Sequence, residues 1–479
     1  MNRRLQSGLR RAAWAVLLAG AAALLAQAPN PSSAANPFFG SVTVLPATDE
    51  SLKLSLDDAI ALGLKNNLGL REAESGEKSL QGQKNEALQN FLPRIMLTGD
   101  LGVHQQNLAA LGFGPDTVRE FSKIVKLPAG FSEITRDDLT EGKIQFGQML
   151  FSGPVIAGWR AAGAAQRAAH FAKMSARGEV VQQVASAYLH AIAAASEVDN
   201  AKALEAADRV QLDHAHEAHL AGVAANLDEL RARVQLQTQQ QTLLAAQNAY
   251  EKDLILLKRE IGIDPGQKIV LTDPAPYSEL AAQTPEELRA IAYRSRQDYQ
   301  TLQNQAAEVK AIHAAYRGRR LPSLSFGGYY GVSQVGGAGS HGNFAAVGTL
   351  SFPLFREARL RGDSDAAQAN LDAVNAQLED LRARIDQQVR SALLDVNATA
   401  KLVEVARSNV DLATRALADE TDRYNAGLDD SMPLVNAQGV LGAVQVDLAE
   451  SLYQYNLAKL TLARAAGVLE QQYREYLGK

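Results

Sequence analysis

The chain has 479 residues, a formal net charge of -5 and no cysteine, which excludes disulfides, thiolate metal sites, a cysteine nucleophile and an acylated cysteine at a mature N-terminus. Its charges are spread along the chain, so the basic stripe that a nucleic-acid binder needs is absent. No Walker lysine loop, nucleophile elbow or dinucleotide fingerprint occurs, and the residues therefore point neither to an enzyme nor to an ATP-driven engine.

Residues 1–28 combine a basic head (Arg3, Arg4, Arg10, Arg11), an apolar run from Ala12 to Ala26 and an Ala26-Gln27-Ala28 ending. This predicts a cleaved secretory signal, because the run is shorter than the roughly 20 residues a spanning helix needs. Residues 29–50, rich in Pro, Ser, Asn and Ala, are expected to be a flexible lead-in. Ser55 with Asp58 three residues on forms a capping box, and the helix it starts should run to Leu92-Pro93. There the period changes to two: Ile95, Leu97, Leu101 and Val103 share one parity, Thr98, Asp100 and His104 the other.

A second alternating stretch, residues 143–151, completes a hairpin over 93–151. A long helix over about 155–220 ends at Ala221-Gly222, where glycine suits a left-handed cap, and a return helix follows over about 226–262. The linker 263–283 holds Pro265, Pro274 and Pro276 and has room for a short strand at IVLT.

The same order then recurs. Thr284-Pro285-Glu286-Glu287 opens a helix that reaches Leu321-Pro322 at the same interval as Ser55 to Pro93. A hairpin over 322–355 alternates Leu324, Phe326, Tyr330 and Val332 against Ser323, Ser325, Gly327 and Ser333. A long helix, about 357–425, ends at Ala426-Gly427 and a return helix runs over about 432–468. The chain thus divides into repeat 1 (51–262) and repeat 2 (284–469), an internal two-fold repeat, with a C-terminal tail at 470–479. The loop of the first hairpin is longer than that of the second by about 25 residues, as surface loops tolerate.

At 1.5 Å per residue the long helices reach on the order of 100 Å, beyond the diameter of a globular domain. The apolar positions Leu371, Val374, Leu378, Leu381, Ile385, Val389, Ala392 and Val396 form a coiled-coil seam with stutters, and the return helix is its expected antiparallel partner. Four strands with one apolar parity each match strands that cross a bilayer at a tilt. In hydrocarbon every backbone donor must be paired, so four strands alone do not suffice and copies must pool them; two, three or four copies would give 8, 12 or 16 strands. The alternative is a structural coiled-coil protein of the periplasm without a pore.

The duplicated plan, with LPRIMLTGDLG and LPSLSFGGYYG at the strand starts, LSFPLF at the end of the fourth strand and RYNAGLDDSMPLVNAQ at the second helix turn, resembles the TolC-type outer-membrane efflux proteins from about Ser51 to Leu469. The resemblance implies a mostly α fold with a small β part. Long antiparallel coiled-coil helices would form a periplasmic α-barrel, and four antiparallel strands per chain would join a shared trimeric 12-stranded transmembrane β-barrel in the outer membrane. It implies a passive gated duct that exports small molecules or secreted products, with a periplasmic adaptor and an inner-membrane pump as partners and no cofactor.

The helix turns at Gly222 and Gly427 would then be where the duct narrows and the adaptor docks. In the family's best-known member the gate is a network of an aspartate six residues after the first-turn glycine, a tyrosine three before the second and an arginine two after it. Asp228 and Tyr424 match, but the arginine position holds Asp429, and two carboxylates repel. A latch through Arg231, Arg233 or Arg423 is therefore expected. Two family positions that carry inward aspartates hold Pro433 and Asn436, which predicts weaker cation selectivity. Helix capping by Asp429, Asp430 and Ser431 accounts for the same residues without a gate.

His214, His216 and His219 suggest a metal site, but only His216 and His219 share a helix face, fewer ligands than such sites use. No metal is expected. The acid pairs Asp57-Asp58 and Glu286-Glu287 sit at helix starts and are read as caps.

Overall fold

The computed structural model describes residues 33–126, 134–222, 225–274, 276–335, 339–354, 356–426 and 431–478. The signal-peptide segment 1–28, Gly427 and Asp429 lie outside the described residues. In chain order the elements are β1 (Leu52–Leu54), α1 (Leu56–Asn66), α2 (Leu68–Gln89), β2 (Arg94–Asn107), α3 (Pro115–Ile124), β3 (Ile134–Phe151), α4 (Gly153–Leu220) and α5 (Asn226–Ile261). They continue with β4 (Ile269–Leu271), α6 (Pro285–Ser295), α7 (Gln297–Gly318), β5 (Ser323–Val335), β6 (His341–Ser351), α8 (Glu357–Asn425), α9 (Ser431–Ala465) and α10 (Leu469–Leu477). Among the described residues no helix is long and apolar enough to cross a membrane.

Both capping boxes form, at Ser55–Asp58 and at Thr284–Glu287. The single helices expected after them are each interrupted, at Asn67 (φ -63°, ψ 134°) and at Arg296 (φ -68°, ψ 120°). Side chains set these breaks. The Asn67 amide donates to Phe38 O (2.7 Å) and its Oδ1 accepts from Leu70 N (3.3 Å), which caps α2. Arg296 is held by Asp298 (2.6 Å) and Gln388 (2.6 Å). Periodicity is blind to such tethers because the flanking helices keep the same apolar pattern.

The chain divides into two compact units. The first comprises the chain up to Glu77, Ala169–Thr301 and Glu379–Lys479. Its core is built on β1 and β4, which pair in parallel from Leu52↔Ile269 to Leu54↔Leu271. Val180, Val181, Val184, Leu257 and Ile261 are buried around them, and the buried Tyr188 hydroxyl donates to Leu54 O (2.8 Å). α4 lies antiparallel to α5, with His190 at Asp253 (3.0 Å), Gln239 Nε2 at Ala201 O (3.3 Å) and His216 at Glu229 (3.2 Å). The Leu381-to-Val396 part of the seam is buried. Its helix α8 flanks α9 near Ser391 and Thr461, as expected, but also pairs with α6, through Arg289–Asp386 (3.5 Å) and Arg390–Glu286 (3.4 Å).

The lead-in, expected to be flexible, and the C-terminal tail are both docked in this unit. In the lead-in, Val42 N donates to Asn66 O (2.8 Å) and Leu45 N to Gly262 O (2.8 Å), so residues 33–50 satisfy helix-end carbonyls rather than hang free. Gly262 (φ 78°) is required there, because a Cβ would come within 2.3 Å of Thr43 O. The C-terminal tail is the helix α10, with Leu469, Tyr473, Tyr476 and Leu477 buried and Tyr473 donating to Asp57 (2.7 Å). The linker carries β4 at the expected IVLT and is fastened to α9 where the Asn456 amide donates to Pro276 O (2.8 Å).

The second unit comprises Lys78–Ala168 and Leu302–Leu378. It holds a four-stranded antiparallel sheet in the order β2-β3-β5-β6. Register carries one apolar face across all four strands: Leu97↔Ile144, Ile144↔Tyr330 and Tyr330↔Phe344. A bulge between Met149 and Phe151 brings Phe151 opposite Leu324 and so onto that face. In this unit the seam residues Leu371, Val374 and Leu378 are only half-buried.

Candidate gate at the helix turns and apolar face of the sheet

In the first unit α4 ends with Gly222 in the left-handed region (φ 74°), its N–H donating to His219 O (3.0 Å). α5 begins at Asn226, and no side chain caps it, so Asp228 and Glu229 supply the negative charge its positive end favours. Asp228 bonds to Arg231 one turn on (3.4 Å), a pair confined to the surface of one helix. Glu229 is the side chain that spans the turn. It is 8% exposed and takes His216 of α4 at 3.2 Å and Arg233 at 2.8 Å.

The spacing from Gly222 points to Asp228 and not to Glu229. The signal was present: His216 and Glu229 lie at nearly equal distances on either side of Gly222, which is where antiparallel helices meet. His216, one of the three histidines weighed as metal ligands, is thus engaged by a carboxylate. Among the described residues no group of acids and histidines could hold a metal.

At the second turn α8 ends at Asn425 with Tyr424 half-buried, and α9 starts at Ser431. Leu434 is buried, Pro433 half-buried and Asn436 exposed. Among the described residues no hydrogen bond joins Asp228 to Tyr424. The structure therefore brings Asp228 together with Arg231, and Arg233 with Glu229, but neither pair links the first turn to the second.

The first unit also buries the ionisable groups Asp208, Glu260 and Lys459. Burial pushes Glu260 up to about 8, because Gln183 is its only side-chain hydrogen-bond partner among the described residues and one of its carboxylate oxygens has none. Burial likewise lowers Lys459 to about 8, where its ammonium donates to Ser278 O (3.2 Å) and lies over the Tyr455 ring. Desolvation also raises Asp208 on α4, against a hydrogen bond from Gln235 that lowers it. Among the described residues none of these three has a counter-ion, unlike Arg464, which is bound to Glu179 (2.6 Å).

The other candidate surface is the sheet of the second unit. All eight residues assigned to its apolar parity are exposed, from Leu324 (38%) and Phe326 (40%) through Ile95, Val103, Tyr330 and Val332 to Leu97 (80%) and Leu101 (84%). The opposite face carries Thr98, Asp100, Glu141, Lys143 and Asn343 at paired positions. Lys143 bridges to Glu141 and lies over the Tyr329 ring, 4.7 Å from its centroid. β2 and β6 are the sheet's edges, each with a partner on one side only.

Comparison with known proteins gives a consistent result. A family model described as outer membrane efflux protein matches residues 59–262 and 291–468. The chain is 23% identical over 357 residues to outer membrane protein TolC of Escherichia coli (strain K12), covering 70% of each. A membrane protein from Pseudomonas aeruginosa solved by crystallography is 20% identical, with a TM-score of 0.71 over 86% of this chain and 93% of that one. The CmeC outer membrane channel of Campylobacter jejuni is 16% identical, with a TM-score of 0.69 over 88% and 89%.

Proposed function

Since the chain belongs to the outer membrane efflux protein family, we propose that it is the outer-membrane duct of a tripartite efflux or type I secretion system. The duct is passive and gated, and it carries small molecules or secreted products to the exterior. The observation that carries this reading is the apolar face of the sheet. A face with Leu97 and Leu101 more than three-quarters exposed is unfavourable in water and favourable in lipid, and the reverse face is polar.

Three copies complete the membrane element. β2 and β6 each offer an unpaired edge, and hydrocarbon does not tolerate unpaired backbone groups. Joining β2 of one copy to β6 of the next closes a 12-stranded barrel without an edge, within the size range of outer-membrane barrels. The half-buried Leu371, Val374 and Leu378 would be covered in the same assembly. The long helices form the periplasmic α-barrel. An inner-membrane pump supplies energy and a periplasmic adaptor docks at the turns around Gly222 and Gly427.

The gate lies at those turns. Glu229 holds the first turn closed on itself through His216 and Arg233, and Asp228 with Arg231 lies on the neighbouring surface. Tyr424 and Asp429 belong to the second turn, and Pro433 and Asn436 leave its constriction without the acidic ring that favours cations.

The test is membrane fractionation followed by planar-bilayer recording. The expected result is a heat-modifiable, detergent-resistant oligomer in the outer membrane, with low wild-type conductance that rises in Glu229→Gln and in Asp228→Asn or Tyr424→Phe. A soluble monomer in the periplasmic wash would overturn the duct reading. Unchanged currents in all three variants would remove these residues from the gate.

A further inference from the structure

The junction between the fourth strand and the long helix of the second unit carries charge that the duct reading does not use. Leu350 stands on the apolar face of β6, opposite Leu324, and the same alternation continues past the strand to Phe352 and Leu354. All three are more than half exposed. Arginines begin immediately beyond. Arg356 immediately precedes α8 and Arg359 and Arg361 lie in its first turns, while Arg317 lies in the last turn of α7 and Arg319 and Arg320 follow it just ahead of β5.

An open cavity of about 750 Å³ lies at this junction, lined by Leu321, Phe352 and Leu354 on its apolar side and by Arg319, Arg356 and Arg359 on its cationic side. Carboxylates engage part of the cluster: Arg319 pairs with Asp363 (2.9 Å), and Arg320 (3.2 Å) and Arg361 (2.8 Å) share Glu357. The guanidinium groups of Arg356 and Arg359 have no ion pair among the described residues, and both residues are exposed. They sit, moreover, at the positive end of a helix, where cations repel the dipole unless an anion intervenes.

Resting on the membrane reading above, we propose that this junction binds the phosphate of an anionic phospholipid in the leaflet where the strands end. Arg356 and Arg359, with Arg319, receive the phosphate oxygens, and Leu321, Phe352 and Leu354 meet the glycerol and the start of the acyl chains. Guanidinium forks match phosphate geometry, and arginine is less strongly hydrated than lysine, so it gives up water more readily at such a boundary. The apolar flank selects a lipid over free phosphate, because inorganic phosphate gains nothing from Phe352 and Leu354.

The corresponding ends of the first hairpin differ. There an aromatic pair, Phe91 and Trp159, has its rings 6.1 Å apart edge to face. Aromatic residues of this kind gather at the water boundary of membrane barrels, the zone in which the proposal puts the arginine cluster.

The test uses the full-length oligomer extracted in mild detergent, titrated by native mass spectrometry with phosphatidylglycerol and, separately, with phosphatidylcholine. Phosphatidylglycerol should bind the wild type more tightly. Arg356→Gln and Arg359→Gln should each weaken it about fivefold, with phosphatidylcholine binding unchanged and Arg415→Gln, far along the same helix, without effect. Inorganic phosphate at equal concentration should not displace the lipid.

Equal binding of the two lipids by the wild type, insensitivity to both substitutions, or full displacement by inorganic phosphate would each overturn the proposal. So would altered anion permeability with lipid binding intact, which would put the arginines on the interior of the duct. Recording conductance on the same preparations separates the two readings, since an oligomer that conducts without preferring anionic lipid fails only this inference.

Discussion

Two tyrosines show how differently the two units treat apolar surface. Tyr188 in the first unit is fully buried, its hydroxyl satisfied by Leu54 O and Asp273, with Val180, Val181 and Val184 on its own helix equally buried. Tyr330 in the sheet stands 65% exposed, in register with Ile144 and Phe344, both also exposed. Their strand and helix propensities are ordinary. On the proposed duct reading the difference is the solvent: the first unit hides its apolar residues from water within one chain, and the second would turn them outward toward a medium that is itself apolar.

That contrast is broken or sharpened most strongly by substitutions in the two apolar surfaces. Leu257→Ala, in the first unit's core, should lower unfolding stability by about 2–5 kcal/mol in detergent or bilayer alike. Leu97→Arg should cost ~2–4 kcal/mol when reversible unfolding is followed from lipid vesicles. A wet face would tolerate the same change within about 0.5 kcal/mol, and that outcome would falsify the assignment of the sheet to lipid.

The next effect is pH dependence in the first unit. The folded chain keeps Glu260 protonated up to about 8, while the unfolded chain ionises it near its ordinary value of 4.5, so the folded state binds more protons between those limits. Stability should fall as pH rises through that window, by on the order of 1 kcal/mol per pH unit, and level off above it. Glu260→Gln should flatten the fall and leave the mutant more stable than the wild type at pH 8. Lys459 acts in the opposite sense at higher pH: its depressed value makes stability rise between about 8 and 10.5, and Lys459→Met should remove that rise. The comparison is a series of denaturant titrations of wild type and variants across pH.

Smaller changes test the local signals. Ser55→Ala and Thr284→Ala each remove one capping box in the first unit and should cost ~1 kcal/mol apiece, additively because the two boxes share no partner. Smallest of all, Asp228→Asn breaks a largely exposed pair with Arg231 and should change thermal stability by under about 1 kcal/mol, so any rise in conductance reports on the gate rather than on unfolding.

Much of the fold was legible from local chemistry. Ser55, Thr284 and Gly222 mark ends that depend on one turn of backbone, and the two-residue alternation from Ile95 to Val103 needs only the pleat of a strand. The helix breaks at Asn67 and Arg296 were not legible, because their causes, Phe38, Gln388 and the carbonyl of Ala465, are distant in sequence. The docked lead-in and the helix α10 were missed for the same reason. Within the candidate gate, spacing from a glycine pointed to Asp228, whereas the side chain that bridges the turn is its neighbour Glu229; one residue along a helix changes the face by about 100°, and only packing decides which face meets the partner.

By itself the sequence determined the kind of long elements and the apolar parity of the strands, because each of these follows from short-range periodicity. Only the tertiary structure decided that all four apolar parities fall on one face, that the sheet is left with two open edges, and that Glu229, Glu260 and Lys459 are buried. Register, edges and burial are relations between residues far apart in the chain, and free energies of desolvation depend on what those distant residues exclude.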